Sequence, residues 1–171
     1  MLLDRFDRAH SVRIPFLSAM SMLGANDNEA RSYLEIADAI RRYGAAPATD
    51  LRQLWRRIVF NVLISNTDDH LRNHGFLYAG GAGWRLAPAY DLNPVPADLG
   101  PRVLSTAIDA DDPTASLDLA LSVAEYFGIT ALSARRIAGD VRKAVSQWRI
   151  VARQAGIKKG DQDRVASAFT A

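Results

Sequence analysis

Apolar residues recur at Ala30, Tyr33, Leu34, Ala37 and Ile40, the three- and four-residue spacing of one helix face. They predict a helix that opens before Glu29, with Asn26, Asp27 and Asn28 offering the N-cap, and that stops at Gly44. A broader stripe follows at Leu51, Leu54, Trp55, Ile58, Val59, Val62 and Leu63, wide enough to predict a largely buried central helix. Thr49 is its expected cap, with Asp50 favourable in the first turn. From Asp50 to Ser65 such a helix would span roughly 24 Å. Ahead of these, Leu2 to Phe6 is short and partly apolar, a strand or the end of one, running into a loop through Ile14-Pro15.

The pattern then breaks. Asn66-Thr67-Asp68-Asp69-His70-Leu71-Arg72-Asn73-His74 is polar and leaves the buried helix directly. Gly75–Ala79 and Gly83–Leu86 read as two short strands turned by Gly80-Gly81-Ala82, a hairpin. Pro88, Pro94, Pro96 and Pro101 keep the next region extended, and Asp109 to Pro113 reads as an acidic loop. A helix starting at Ser116 points Leu117, Leu119, Ala120, Val123, Ala124 and Phe127 inward and stops at Gly128. Another starts at Ser133, with Ile137, Val141, Val145, Trp148 and Val151 inward, and a last short one runs from Asp161 to Phe169. The fold class is mainly α (α+β), helical with a small inserted β-hairpin and with neither repeats nor a domain linker.

Composition narrows the class. The 171 residues are 49% hydrophobic and 23% charged, as in a soluble globular domain. There are no cysteines, which excludes disulfides and thiolate metal sites. MLLDRFDRAH carries charge by position 4 without an apolar segment after it, so no signal peptide is expected. The longest apolar stretch, Ile58 to Ile64, is interrupted by Asn61 and is too short to span a bilayer. A cytoplasmic location is the default expectation. The formal charge of +2 is spread out, so direct nucleic-acid binding is not expected.

The polar loop holds the chemistry. Asp68 is followed, after four residues, by Asn73, the arrangement of the protein-kinase catalytic loop, where the Asp accepts the substrate hydroxyl proton and the Asn binds metal. A second Asp must hold Mg²⁺ against the phosphates, and Asp91 follows the hairpin that would return it beside the loop. Mg²⁺ takes oxygen ligands, and Asn73 and Asp91 with phosphates and water would suffice. Asp69 is the second choice of base, because its spacing to Asn73 is one residue short. Asn66 and Thr67 read as structural. His70 and His74, four apart, could with Asp68 or Asp69 form a zinc hydrolase site, but Gly75 argues against a continuous helix there. His70 fits better as a residue that orients the loop, and His10 has no visible role. Arg5 and Arg8 could contact a nucleotide or form an ion-paired turn; Arg41-Arg42 and Arg56-Arg57 read as solvated faces.

NTDDHLRNHGFLY followed by WRLAPAYDLNP resembles the signature of the HipA-like C-terminal kinase region, and LLDRFDR with the later FGI and QWR segments is similar to the same family. The resemblance covers nearly the whole chain. It implies a fold related to the phosphoinositide 3-kinase group and ATP-dependent phosphorylation of serine or threonine on a protein substrate. It assigns Asp68 as catalytic base, His70 to the catalytic loop, and Asn73 and Asp91 to Mg²⁺, with Asp68, Asn73 and Asp91 facing ATP. It also implies a bacterial toxin neutralised by a small DNA-binding antitoxin.

One departure stands out. A kinase needs a phosphate-covering loop and a strand lysine, yet no lysine precedes Lys143 and nothing before Asp68 supplies either. Gly80-Gly81-Ala82-Gly83 joins two strands with no helix behind it and reads as a hairpin turn. The expectation is therefore a C-terminal kinase lobe over residues 1–171 without its nucleotide-binding lobe. Such a chain is a fragment, a subunit completed by a separate polypeptide, or a non-catalytic module that docks an antitoxin or that lobe.

Overall fold

The computed structural model describes residues 5–9, 11–27, 29–96, 100–110 and 112–170. Its axis is α3, Pro47–Leu63, a 17-residue helix. Pro47 at the helix start loses no hydrogen bond there, and the apolar stripe buries Leu54, Trp55, Ile58 and Val59 completely. Trp55 places its ring in the core and donates Nε1–H to the Ala120 carbonyl at 2.9 Å. Packed against α3 are α2 (Tyr33–Tyr43), α4 (Leu117–Ser122) and α5 (Ala131–Ser146).

The hairpin expected after the polar loop is present as β5 (Gly75–Tyr78) and β6 (Trp84–Leu86). A third strand, β3 (Phe16–Ser18), joins it in the order β3-β5-β6, antiparallel throughout, with Leu17 opposite Phe76 and Phe76 opposite Leu86. Two ties lock the hairpin to the helices. Ala45 N donates to Trp84 O at 2.7 Å. The buried Asp50 carboxylate accepts from Arg85 Nε, Arg85 Nη2 and the Leu86 amide, each at 3.0 Å. Asp50 thus anchors the sheet as well as favouring a helix start. Gly83 adopts φ 109°, and a Cβ there would sit 2.4 Å from the Tyr43 carbonyl oxygen.

Smaller pairings complete the frame. β1 (Arg8–Ala9) pairs β2 (Val12–Arg13), and Ala19–Leu23 forms a short helix, α1. β4 (Arg31–Ser32) runs parallel to β7 (Thr106–Ala107). After α5 come α6 (Trp148–Gln154) and α7 (Lys159–Arg164), with Trp148 stacked on Phe169 at 4.1 Å. The end of the chain then closes the C-terminus of α3. Thr170 N donates to Leu63 O at 2.9 Å and Arg102 Nη2 to Val62 O at 2.8 Å, satisfying carbonyls that a helix end leaves open.

Several boundaries differ from the sequence expectation. In the expected Leu2–Phe6 strand, residues 2–4 lie outside the described residues, while Arg5 and Phe6 are not in a strand. Asn28 is outside them too; Asn26 instead donates to Glu29, and α2 opens at Ser32 through a capping box with Glu35. α3 starts at Pro47, two residues before Thr49. The Ser116 cap and the Gly128 stop hold, but Ala124–Phe127 is a separate 3-10 turn. Thr130, not Ser133, caps α5, and the helix breaks at Gln147, so Val151 is 58% exposed and not in the core. The last helix runs Lys159–Arg164, with a 3-10 turn at Ala166–Ala168. Asp111, in the acidic loop, and His10 lie outside the described residues. No described helix is long and apolar enough to cross a membrane.

Candidate functional site

The polar loop starts where α3 ends. Ser65 takes a left-handed backbone, φ 52°, and turns the chain off the helix. Asn66 ties the turn back: its amide donates to Asn61 O at 2.9 Å and its side chain to Asn61 Oδ1 at 3.1 Å. Thr67 O accepts from both the amide and the hydroxyl of Ser105 at 2.9 Å. Asn66 and Thr67 are structural, as their positions suggested.

The two aspartates then part company. Asp69 is 1% exposed, and its Oδ2 accepts three bonds: from the Tyr33 hydroxyl, from Asn61 Nδ2 at 2.8 Å and from His74 Nε2 at 2.8 Å. Burial pulls the Asp69 carboxyl upward. The His74 charge, the bonds from His74 and Tyr33, and the His70 charge together outweigh that and hold it below the ordinary aspartate value. Burial first, and then the Asp69 charge and bond, drive the Tyr33 phenol well above its usual range. Because Asp69 points inward, Asp68 is left exposed on the outer side of the loop.

Asp68 lines an open cavity of about 290 Å³ together with His70, Arg72, Asp27, Arg31 and Thr106. Its rim is held by ion pairs, Arg72 with Asp27 and Arg31 with Glu29 at 2.7 Å and Glu35 at 2.6 Å. Asn73 ends a 3-10 turn, Leu71–Asn73, and is 5% exposed. Its Nδ2 donates to the Asp68 carbonyl at 3.4 Å, which leaves the amide oxygen to act as an acceptor or ligand. His70 shapes the loop through its backbone, accepting from Asn73 N at 2.8 Å and donating to Asp68 O at 3.0 Å. Its ring Nδ1 is buried without a hydrogen-bond partner among the described residues.

The hairpin brings the chain back to this loop. Ala87 N donates to Gly75 O at 2.8 Å, and the Tyr90 hydroxyl donates to the Arg72 carbonyl at 2.5 Å. Asp91 follows, exposed, in the left-handed region at φ 57°, with its Oδ1 accepting from Asn93 Nδ2 at 2.7 Å. A non-glycine residue held there is strained by about 1 kcal/mol or more, a condition that concentrates at functional positions. Phe6 lies beside Phe16 and Tyr90, with ring centroids 6.2 and 5.7 Å apart. Gly75 lies under the Phe16 ring, where a Cβ would come within 2.2 Å.

Asn73 and Asp91 present oxygen donors suited to a hard cation such as Mg²⁺. Zinc is poorly served. His74 is engaged with Asp69, and no group of three His, Cys, Asp or Glu arranged to hold a metal occurs among the described residues. Arg5 forms a surface ion pair with Asp7 at 2.6 Å. Arg57 is not on a solvated face: it is half-buried and donates Nη2–H to the Ala87 carbonyl. Tyr33, Asn61 and Tyr90 support the site and were not singled out in the sequence. One signal existed, a single asparagine inside the apolar run Ile58–Ile64.

Comparison with known proteins matches this arrangement to a family. A family model described as the HipA-like C-terminal domain covers residues 1–148. A Haemophilus influenzae protein named "Putative kinase" is 32% identical over 89 residues, 52% of this chain and 25% of that protein. A Sinorhizobium fredii protein, "Putative kinase Y4mE", is 35% identical over 74 residues, 42% of this chain and 17% of that protein. HipA of Shewanella oneidensis, solved with HipB and operator DNA, superposes with a TM-score of 0.76 at 17% identity. That superposition covers 96% of this chain and 45% of the HipA chain, and it speaks for the fold. The chain belongs to the HipA-like C-terminal domain family. It spans less than half the length of these relatives.

Proposed function

We propose that this chain is the catalytic, metal-holding lobe of an ATP-dependent kinase that phosphorylates serine or threonine on a protein. The observation that carries the proposal is the opposed orientation of Asp68 and Asp69. Three bonds pull Asp69 into the core, which presents Asp68 to the cavity beside it, with Asn73 bonded to the Asp68 carbonyl and Tyr90 bonded to the carbonyl of Arg72, further along the same loop. An acceptor hydroxyl entering that cavity would give its proton to Asp68, which also orients the oxygen for attack. Asn73 and Asp91 would hold Mg²⁺, whose charge neutralises the phosphates. Most of the catalytic gain in such a reaction comes from positioning and charge stabilisation.

The nucleotide-binding lobe is proposed to come from elsewhere in a longer kinase or from a second polypeptide, and an antitoxin of the HipB kind is the proposed regulatory partner. Exposed Phe16 and Tyr78 on the three-stranded sheet, 42% and 44% accessible, are candidate docking positions for that lobe. Phosphotransfer by the complete kinase tests the reading: Asp68→Asn should lower turnover by about 10²-fold or more, with folding intact because Asp68 is exposed. Turnover within threefold of the parent would refute Asp68 as base. The isolated chain should bind ATP weakly and turn it over little; robust turnover by it would refute the need for another lobe.

A further inference from the structure

A second open cavity, of about 670 Å³, lies where α3, β6 and α5 meet, within the size range of small-molecule sites. Asp68, Asn73 and Asp91 do not line it. Phe60, Leu86, Leu92 and Val141 give it an apolar wall, while Arg56 and Arg57 on α3 and Arg85 on β6 bring cations. Two acids are present, Asp50 and Asp140. Asp50 is already saturated by Arg85 and the Leu86 amide. Three arginines against two aspartates leave the cavity one positive charge.

Arg57 is short of acceptors. Its Nη2 bonds the Ala87 carbonyl, and its Nη1 is buried with no hydrogen-bond partner among the described residues. Burial works against its charge and lowers its pKa, while Asp69 and Asp50 support the charge through space. A guanidinium carries five donors, and a desolvated cation without a bonded counter-ion is costly. An anion arriving in the cavity would set a countercharge beside a lining guanidinium that has no ion pair among the described residues.

We propose that this cavity binds a small amphipathic monoanion, a carboxylate on an aromatic or aliphatic stem, with the carboxylate on Arg56 and Arg57 and the stem against Phe60, Leu86 and Val141. A doubly charged phosphate exceeds the single net charge, and a neutral apolar ligand leaves Arg57 uncompensated. The site adjoins the strand exit toward the candidate metal-binding segment, since Arg57 holds the carbonyl of Ala87, four residues before Asp91.

The test is a titration of the 171-residue chain with 3-phenylpropionate, read on the arginine Nε–Hε resonances, with 3-phenylpropionamide and inorganic phosphate as comparison probes. A saturable shift of the Arg57 resonance, identified by its loss in Arg57→Lys, is expected, with the carboxylate at least tenfold tighter than either comparison probe. Arg56→Gln, at an exposed position, should weaken it at least fivefold. Amide affinity within threefold would leave only an apolar cavity, and phosphate affinity within threefold only a cation patch; either overturns the proposal. Unchanged affinity in Arg56→Gln overturns it independently of whether Arg57→Lys folds.

Discussion

Replacing Asp69 by alanine should cost this domain a large part of its stability. The carboxylate takes three donors on one oxygen in a site that is 1% exposed. Removing it strands the Tyr33 hydroxyl, Asn61 Nδ2 and His74 Nε2, and an unmet buried donor costs about 1–3 kcal/mol. Asn61 Nδ2 also lies 3.4 Å from the Tyr33 hydroxyl and recovers part of the loss. A cost of about 4 kcal/mol follows, against a usual total of about 5–15. Urea unfolding at neutral pH measures it. The acid side gives a second readout. Asp69 is held below its unfolded value of 3.8, so its contribution is complete above that pH and is lost as pH falls through the lower folded value. The parent should therefore lose stability on acidification over that interval, and Asp69→Ala should not show that component. A cost under about 1 kcal/mol, with an unchanged acid limb, would refute a stabilising role for the network.

Four further outcomes are expected. Gly83→Ala forces a Cβ to 2.4 Å from a backbone oxygen at φ 109°; thermal unfolding should report about 2 kcal/mol of destabilisation or more. Arg85→Ala removes the ionic partner of buried Asp50. Since Arg85 is 43% exposed and Leu86 N still bonds the carboxylate, about 1–3 kcal/mol should be lost in a denaturant titration. Trp55→Ala, at a fully buried position, should cost about 3–5 kcal/mol by the same assay. Asp91→Asn, where asparagine tolerates the left-handed backbone, should leave stability within about 0.5 kcal/mol, while Mg²⁺-dependent nucleotide binding by the complete kinase falls at least tenfold.

The sequence by itself determined the helical frame, because periodicity reports which face of a helix is buried: the stripe from Leu51 to Leu63 is the core of α3. It determined the hairpin as well, since Gly80-Gly81-Ala82 between two short apolar runs is a local turn signal. The order of loop, hairpin and Asp91 was legible for the same reason. Pairings between distant segments were not. β3 joins the hairpin across nearly sixty residues, and β4 pairs β7 across more than seventy, with strands too short to show alternation. Tertiary packing also decided which of Asp68 and Asp69 is buried. Spacing to Asn73 ranks Asp68 first but does not say which carboxylate enters the core; Asp69 does because Tyr33, Asn61 and His74 converge on it. Likewise Arg57 reads as a surface cation until the strand exit at Ala87 closes over it. A side chain's role follows from what surrounds it, and those surroundings come from parts of the chain that its own neighbourhood in sequence does not specify.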